Sequence, residues 1–122
     1  MTEIQKTSPT YWVGLGASAG GLEALRAVAK NLHPNLNAIY VIVQHMSPQH
    51  KSLLASLIAR ETDLDVVEIT DNLKPVPNKI YVSPSNFDVV VKSGHLKLIE
   101  PSKEFASPKP SVDRFFRSMA DY

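Results

Sequence analysis

Tyr11-Trp12-Val13-Gly14-Leu15-Gly16 is a short apolar run ending in glycine, after which Leu22, Leu25, Val28, Ala29 and Leu32 recur every three or four residues. The pattern predicts a strand, a tight turn and a helix with one apolar face. Pro34 and the asparagines beside it close that helix, and Ala38 to Val43 is apolar at every position, as in a strand covered on both faces by helices. A parallel βαβ unit is the economical reading. Beyond Pro48, a second helix carries Leu53, Leu54, Leu57 and Ile58 inward, and Asp65 to Ile69 reads as a third strand. Residues 71–79 hold two prolines and read as loop. Ile80-Tyr81-Val82-Ser83-Pro84 is a short strand cut off by proline, and Phe87 to Val91 with Leu96 to Ile99 flank Ser93-Gly94 as an antiparallel hairpin. A proline-rich connector (Pro101, Pro108, Pro110) then leads to Ser111, an N-cap, and to the helical stripe Val112, Phe115, Phe116 and Met119.

The elements amount to an α/β fold, a doubly wound and mainly parallel sheet flanked by helices, with a β-hairpin. At 122 residues the chain holds one domain: residues 1–10 are a loose polar lead-in and 11–122 the domain. Thirteen Lys and Arg against twelve Asp and Glu leave a net charge of +1, without a run of like charges. Nucleic acid and anionic lipid call for a concentrated positive field, so neither is an expected partner. Zero cysteines remove thiolate metal sites and thiol nucleophiles, so a nucleophile must be an oxygen or a nitrogen. The apolar runs are far too short to insert in a membrane and the N-terminus lacks a secretory signal, which makes the cytoplasm the default location.

The turn Gly14-Leu15-Gly16-Ala17-Ser18-Ala19-Gly20-Gly21 supports three readings. In the plainest, the glycines permit tight packing and positive φ, and Ser18 is an ordinary turn residue. In the second, Gly14-x-Gly16-x-x-Ala19 is a loose dinucleotide fingerprint. That site wants an acidic residue at the end of the second strand. The chain has no Asp or Glu between Glu23 and Glu61, and the strand ends in Gln44-His45-Met46. In the third, Gly16-Ala17-Ser18-Ala19-Gly20 is G-x-S-x-G in the strand–turn–helix setting of a nucleophile elbow. Ser18 then stands clear at the carboxyl edge of the sheet, and the Ala19 N–H is an oxyanion donor.

A serine nucleophile needs a base. His45 lies just past the carboxyl end of the second strand, which in a βαβ unit can run beside the first and bring the imidazole to the same edge as Ser18. The other histidines read as structural or surface residues: His33 at a helix end, His50 in a polar loop, His95 after a hairpin turn. No His-x-x-His pair or carboxylate cluster lies near His45, so no metal is expected, and no cofactor either.

Together, Gly14 to Gly21, Val43-Gln44-His45-Met46, Ile80 to Pro84 and Pro110-Ser111-Val112-Asp113-Arg114-Phe115-Phe116 resemble the catalytic domain of the chemotaxis protein-glutamate methylesterases of the CheB family, in register from about residue 12. The resemblance implies a serine hydrolase acting on γ-glutamyl methyl esters of methyl-accepting chemotaxis receptor helices, often with deamidation of receptor glutamines. It makes Ser18 the nucleophile and His45 the base, with Ala19, Gly20 and Met46 lining the site around the oxyanion.

The sequence departs from the family pattern in three places. Ala19 stands where the family commonly has Thr. The family's triad aspartate lies beyond the Pro-Ser-Val-Asp helix, so the domain is expected to be truncated, its sheet incomplete and this chain alone weak or inactive, since losing that function costs roughly 10⁴-fold in other serine hydrolases. Asp113 is not that aspartate but a first-turn residue favoured by the helix dipole. The residues before Tyr11 are too few for a receiver domain, so the chain looks like stand-alone or fused forms in which this domain precedes a methyltransferase partner. An exposed sheet edge and an uncovered apolar face near Phe115 and Phe116 are expected to favour self-association. The reading from another class is a non-catalytic α/β interaction or nucleotide-binding module that keeps the glycine-rich turn without chemistry.

Overall fold

In the computed structural model, which describes residues 10–45, 53–101 and 111–122, the first apolar run is strand β1, Tyr11–Ala17. A 3₁₀ turn at Ala19–Gly21 leads into helix α1, Leu22–Lys30. There follow β2 (Ala38–Gln44), α2 (Leu54–Ala59), β3 (Asp65–Glu68), β4 (Lys79–Val82), the hairpin strands β5 (Asp88–Lys92) and β6 (His95–Ile99), and α3 (Val112–Asp121). The first four strands form a sheet in the order β1-β2-β4-β3, every pair parallel, while β5 and β6 pair antiparallel on their own. Asn37 and Asn78 take left-handed backbone one residue before β2 and β4, a conformation asparagine tolerates better than most residues. Ser93 and Gly94, both at positive φ, turn the hairpin.

The unbroken apolar run of β2 has a physical cause. Successive strand residues face opposite ways, so Tyr40 and Ile42, with Ile80 and Val82 of β4, meet Leu25 and Ala29 of α1 and Leu54 and Ile58 of α2. Ile39, Val41, Val43 and Tyr81 face the other side, where Val89, Val91, Leu96 and Phe115 cover them. β2 is therefore buried along its whole length between two layers, helices on one side and the hairpin with α3 on the other.

Polar contacts fasten the outer elements. Glu61, just past α2, accepts from Arg26 Nε at 3.0 Å and Nη2 at 2.7 Å, with Lys30 Nζ 3.5 Å away, joining α1 to α2. Asp88 is fully buried and accepts from the Ser111 backbone N–H at 2.7 Å and Arg114 Nη1 at 3.0 Å, which holds the start of α3 to the hairpin. Ser111 caps α3 by accepting from the Arg114 N–H at 3.1 Å. From there α3 runs back along β1, with Val112 beside Gly16 and Met119 beside Gly14.

Four expectations differ from the structure. Val28 is 39% exposed because the buried stripe of α1 runs through Leu25 and Ala29 and leaves Val28 on its rim. Leu53 is 65% exposed because it occupies the N-cap of α2, outside the helical backbone that would turn its side chain inward. α1 ends at Lys30, so His33 lies in the loop beyond it, where its carbonyl accepts from the Tyr40 hydroxyl at 3.1 Å. Phe115 is not on an uncovered face but fully buried against the sheet, whereas Phe116 is 41% exposed.

Candidate active site

β1 ends at Ala17, and Ser18 is the N-cap of the 3₁₀ turn with extended backbone, φ −80° and ψ 174°. Ser18 is an exposed residue and its hydroxyl makes no capping bond, so the oxygen is not committed to the turn it begins. Its carbonyl accepts from the Gly21 N–H at 2.9 Å, which closes the turn. The amides of Ala19 and Gly20 head that turn, where no earlier carbonyl lies in helical register to receive them.

β2 positions His45. Ala17 is in register with Gln44, and the His45 N–H donates to the Ala17 carbonyl at 2.8 Å, so pairing runs one residue past the strands. Ser18 and half-buried His45 therefore sit side by side at the carboxyl edge of adjacent parallel strands. Among the described residues no hydrogen bond joins the Ser18 hydroxyl to the imidazole. Catalytic hydrogen bonds are often long without substrate, so the proximity of the two backbones is the informative feature. The positive N-terminal end of α1 lies at this edge, and so does that of α3, whose Val112 packs at Gly16, two residues before Ser18.

The glycines divide by task. A Cβ on Gly16 would overlap Val112 Cγ1, and one on Gly14 would stand 2.8 Å from Met119 Sδ and 3.0 Å from Phe115 Cε2. These two let α3 lie against β1, the packing that the plainest reading of the turn anticipates. Positive φ, its other half, is absent: among the described residues the glycine at positive φ is Gly94. The bare side of Gly16 is filled by Val112 and Phe116, leaving no approach for a pyrophosphate there. Among the described residues nothing lies within 4 Å of where a Cβ on Gly20 would stand.

Of the residues singled out from sequence, Ser18, Ala19, Gly20 and His45 gather at this edge. Met46 and His50 lie outside the described residues. His95 is remote from the site in the hairpin, where Nδ1 lies 3.0 Å from the Ser93 carbonyl oxygen. Sequence reasoning missed two residues at the same edge. Gln44, 6% exposed, donates from Nε2 to the Ser18 carbonyl at 3.2 Å, and its own N–H donates to the hydroxyl of fully buried Ser83 at 3.3 Å. The signal was a polar residue closing an otherwise apolar buried strand. Among the described residues no three His, Asp or Glu side chains are grouped as metal ligands would be.

The chain is similar to known proteins in both sequence and fold. The sequence model of the CheB methylesterase family matches residues 13–122. The chain is 33% identical over 111 residues to protein-glutamate methylesterase/protein-glutamine glutaminase 3 of Pseudomonas aeruginosa, covering 90% of the chain and 33% of that protein. It is 34% identical over 123 residues to the protein-glutamate methylesterase/protein-glutamine glutaminase of Bacillus subtilis, covering 96% of the chain and 34% of that protein. The crystal structure of the Thermotoga maritima CheB methylesterase catalytic domain superposes with a TM-score of 0.79 at 27% identity, over 93% of this chain and 62% of that one. The chain thus spans about a third of the length of the curated relatives it matches.

Proposed function

The chain belongs to the CheB methylesterase family, and from that premise we propose that its carboxyl-edge site hydrolyses γ-glutamyl methyl esters of chemotaxis receptors, with Ser18 as nucleophile and His45 as base. One observation carries the assignment of roles. The β1–β2 register, extended by the bond from the His45 N–H to the Ala17 carbonyl, makes Ser18 and His45 cross-strand neighbours. The uncommitted Ser18 hydroxyl and the two helix N-termini at the same edge support it.

In the reaction, the Ser18 hydroxyl gives its proton to the imidazole as its oxygen attacks the ester carbon, and the carbonyl electron pair moves onto oxygen. The Ala19 N–H stabilises that oxyanion. Collapse expels the methoxy group, which takes the proton from His45 and leaves as methanol. A water molecule then gives a proton to His45 and attacks the acyl-serine; Ser18 leaves with that proton and the free glutamate is released. With a glutamine substrate the same steps expel ammonia, in keeping with the glutaminase half of the relatives' names. The partners that go with this reading are the cytoplasmic helices of methyl-accepting receptors and a fused or associated methyltransferase, and its place is the cytoplasm.

The test is methanol release from a methylated receptor by the intact protein. Ser18→Ala and His45→Gln are each expected to lower turnover about a thousandfold or more, as removal of a nucleophile or base does in other serine hydrolases. Turnover by Ser18→Ala within tenfold of the parent would defeat the assignment.

A further inference from the structure

We infer that Gln44 is a positioning residue that aims the Ala19 N–H at the oxyanion, an inference that rests on the Ser18 mechanism proposed above. The Ser18 carbonyl accepts two hydrogen bonds: one from the Gly21 N–H at 2.9 Å, within the turn itself, and one from Gln44 Nε2 at 3.2 Å, across from β2. Only the amide nitrogen can face a carbonyl oxygen, so this contact sets which way the Gln44 side chain lies. The Ser18 carbonyl and the Ala19 N–H belong to one planar trans peptide and point in opposite directions. Whatever fixes the carbonyl therefore fixes the line along which Ala19 offers its hydrogen.

The bond from Gly21 cannot do this alone, because it links two ends of one three-residue turn that can tilt as a unit. Gln44 ties the turn to the sheet instead. Its backbone is held in register with Ala17 on one side and by the Ser83 hydroxyl on the other, and its side chain is almost wholly buried. A buried amide is costly unless its hydrogen bonds are made, and the bond to the Ser18 carbonyl is one that this amide makes. The next residue is His45. The last two positions of this strand edge thus serve the two ends of one proton-transfer site, Gln44 through the oxyanion donor and His45 through the base.

Gln44→Met and Gln44→Glu, both close to glutamine in size and neither offering an N–H, test this in the intact protein. The measurements are kcat and KM for a methylated receptor, the rate at which a fluorophosphonate labels Ser18, and circular dichroism to establish folding. Misaiming one oxyanion donor is expected to lower kcat and the labelling rate about tenfold to a hundredfold, with KM within twofold of the parent. A residue that merely supported the fold would move thermal stability and leave the kcat of the folded fraction unchanged. Should Gln44→Met not fold, Gln44→Glu decides. A folded variant whose kcat and labelling rate stay within twofold of the parent, or whose loss lies wholly in KM, overturns the inference. If Ser18→Ala is inactive while the Gln44 variants are unimpaired, this inference alone falls. Turnover by Ser18→Ala removes both it and the mechanism on which it rests.

Discussion

Replacing Gly16 by Ala tests whether the glycine-rich segment owes part of its character to a helix that follows it by almost a hundred residues. The substitution has two opposing effects. Alanine restricts the unfolded chain, which by itself stabilises by about 0.4–1 kcal/mol. In the folded state its methyl group would overlap Val112 Cγ1 and stand 3.2 Å from Phe116 Cζ and 3.3 Å from Cε2. Valine in a helix is nearly confined to one rotamer, so relief requires α3 to lift from β1 rather than one side chain to swing away. Overpacking of this kind costs about 1–3 kcal/mol, so the net expectation is a loss of about 1–2 kcal/mol. Urea unfolding of the parent, Gly16→Ala and Gly20→Ala measures it. Gly20→Ala, with no atom of the described residues within 4 Å of the added carbon, is the control and should be as stable as the parent or more stable by up to about 1 kcal/mol. If Gly16→Ala is as stable as the parent, or Gly20→Ala suffers equally, the packing argument is wrong.

Asp88→Ala should destabilise by about 2–4 kcal/mol, because it strips the Ser111 N–H and Arg114 of a fully buried acceptor, whereas Ser111→Ala, which removes only the α3 cap, should cost about 1 kcal/mol; thermal melts rank the two. Glu61 is held below the ordinary carboxylate range by its hydrogen bonds from Arg26, so its contribution is fully present above that range and is lost as pH falls through the depressed value. Urea midpoints of the parent and Glu61→Gln should therefore differ at pH 7 and converge at strongly acidic pH, and a difference independent of pH would contradict the ion-pair account.

How much of this was legible in the sequence depended on how far apart the interacting residues lie. The apolar run of β2, the Ser93-Gly94 turn and the Ser111 cap each act within a few residues, and each stands where the pattern put it. The pairing of Ser18 with His45 was also within reach, because a βαβ unit brings two strand ends to one edge. The sheet order was not, since nothing local tells β4 to insert between β2 and β3. Gly14 and Gly16 looked like turn residues because the side chains that need their space belong to α3. Phe115 looked exposed for the same reason, as its cover comes from β5, β6 and the far face of the sheet. Gln44 stood out in the sequence as a polar residue at the end of a buried strand, beside His45, and its partner, the Ser18 carbonyl just past β1, appears only once the register is known.

The central claim is that Ser18 is a nucleophile activated by His45. Treating the intact protein with a fluorophosphonate and mapping the adduct by mass spectrometry tests it most directly. A single phosphonyl group on Ser18, formed at a rate that falls at least a hundredfold in His45→Gln, is the predicted result. An unlabelled Ser18 in folded protein, or labelling indifferent to His45, would contradict it.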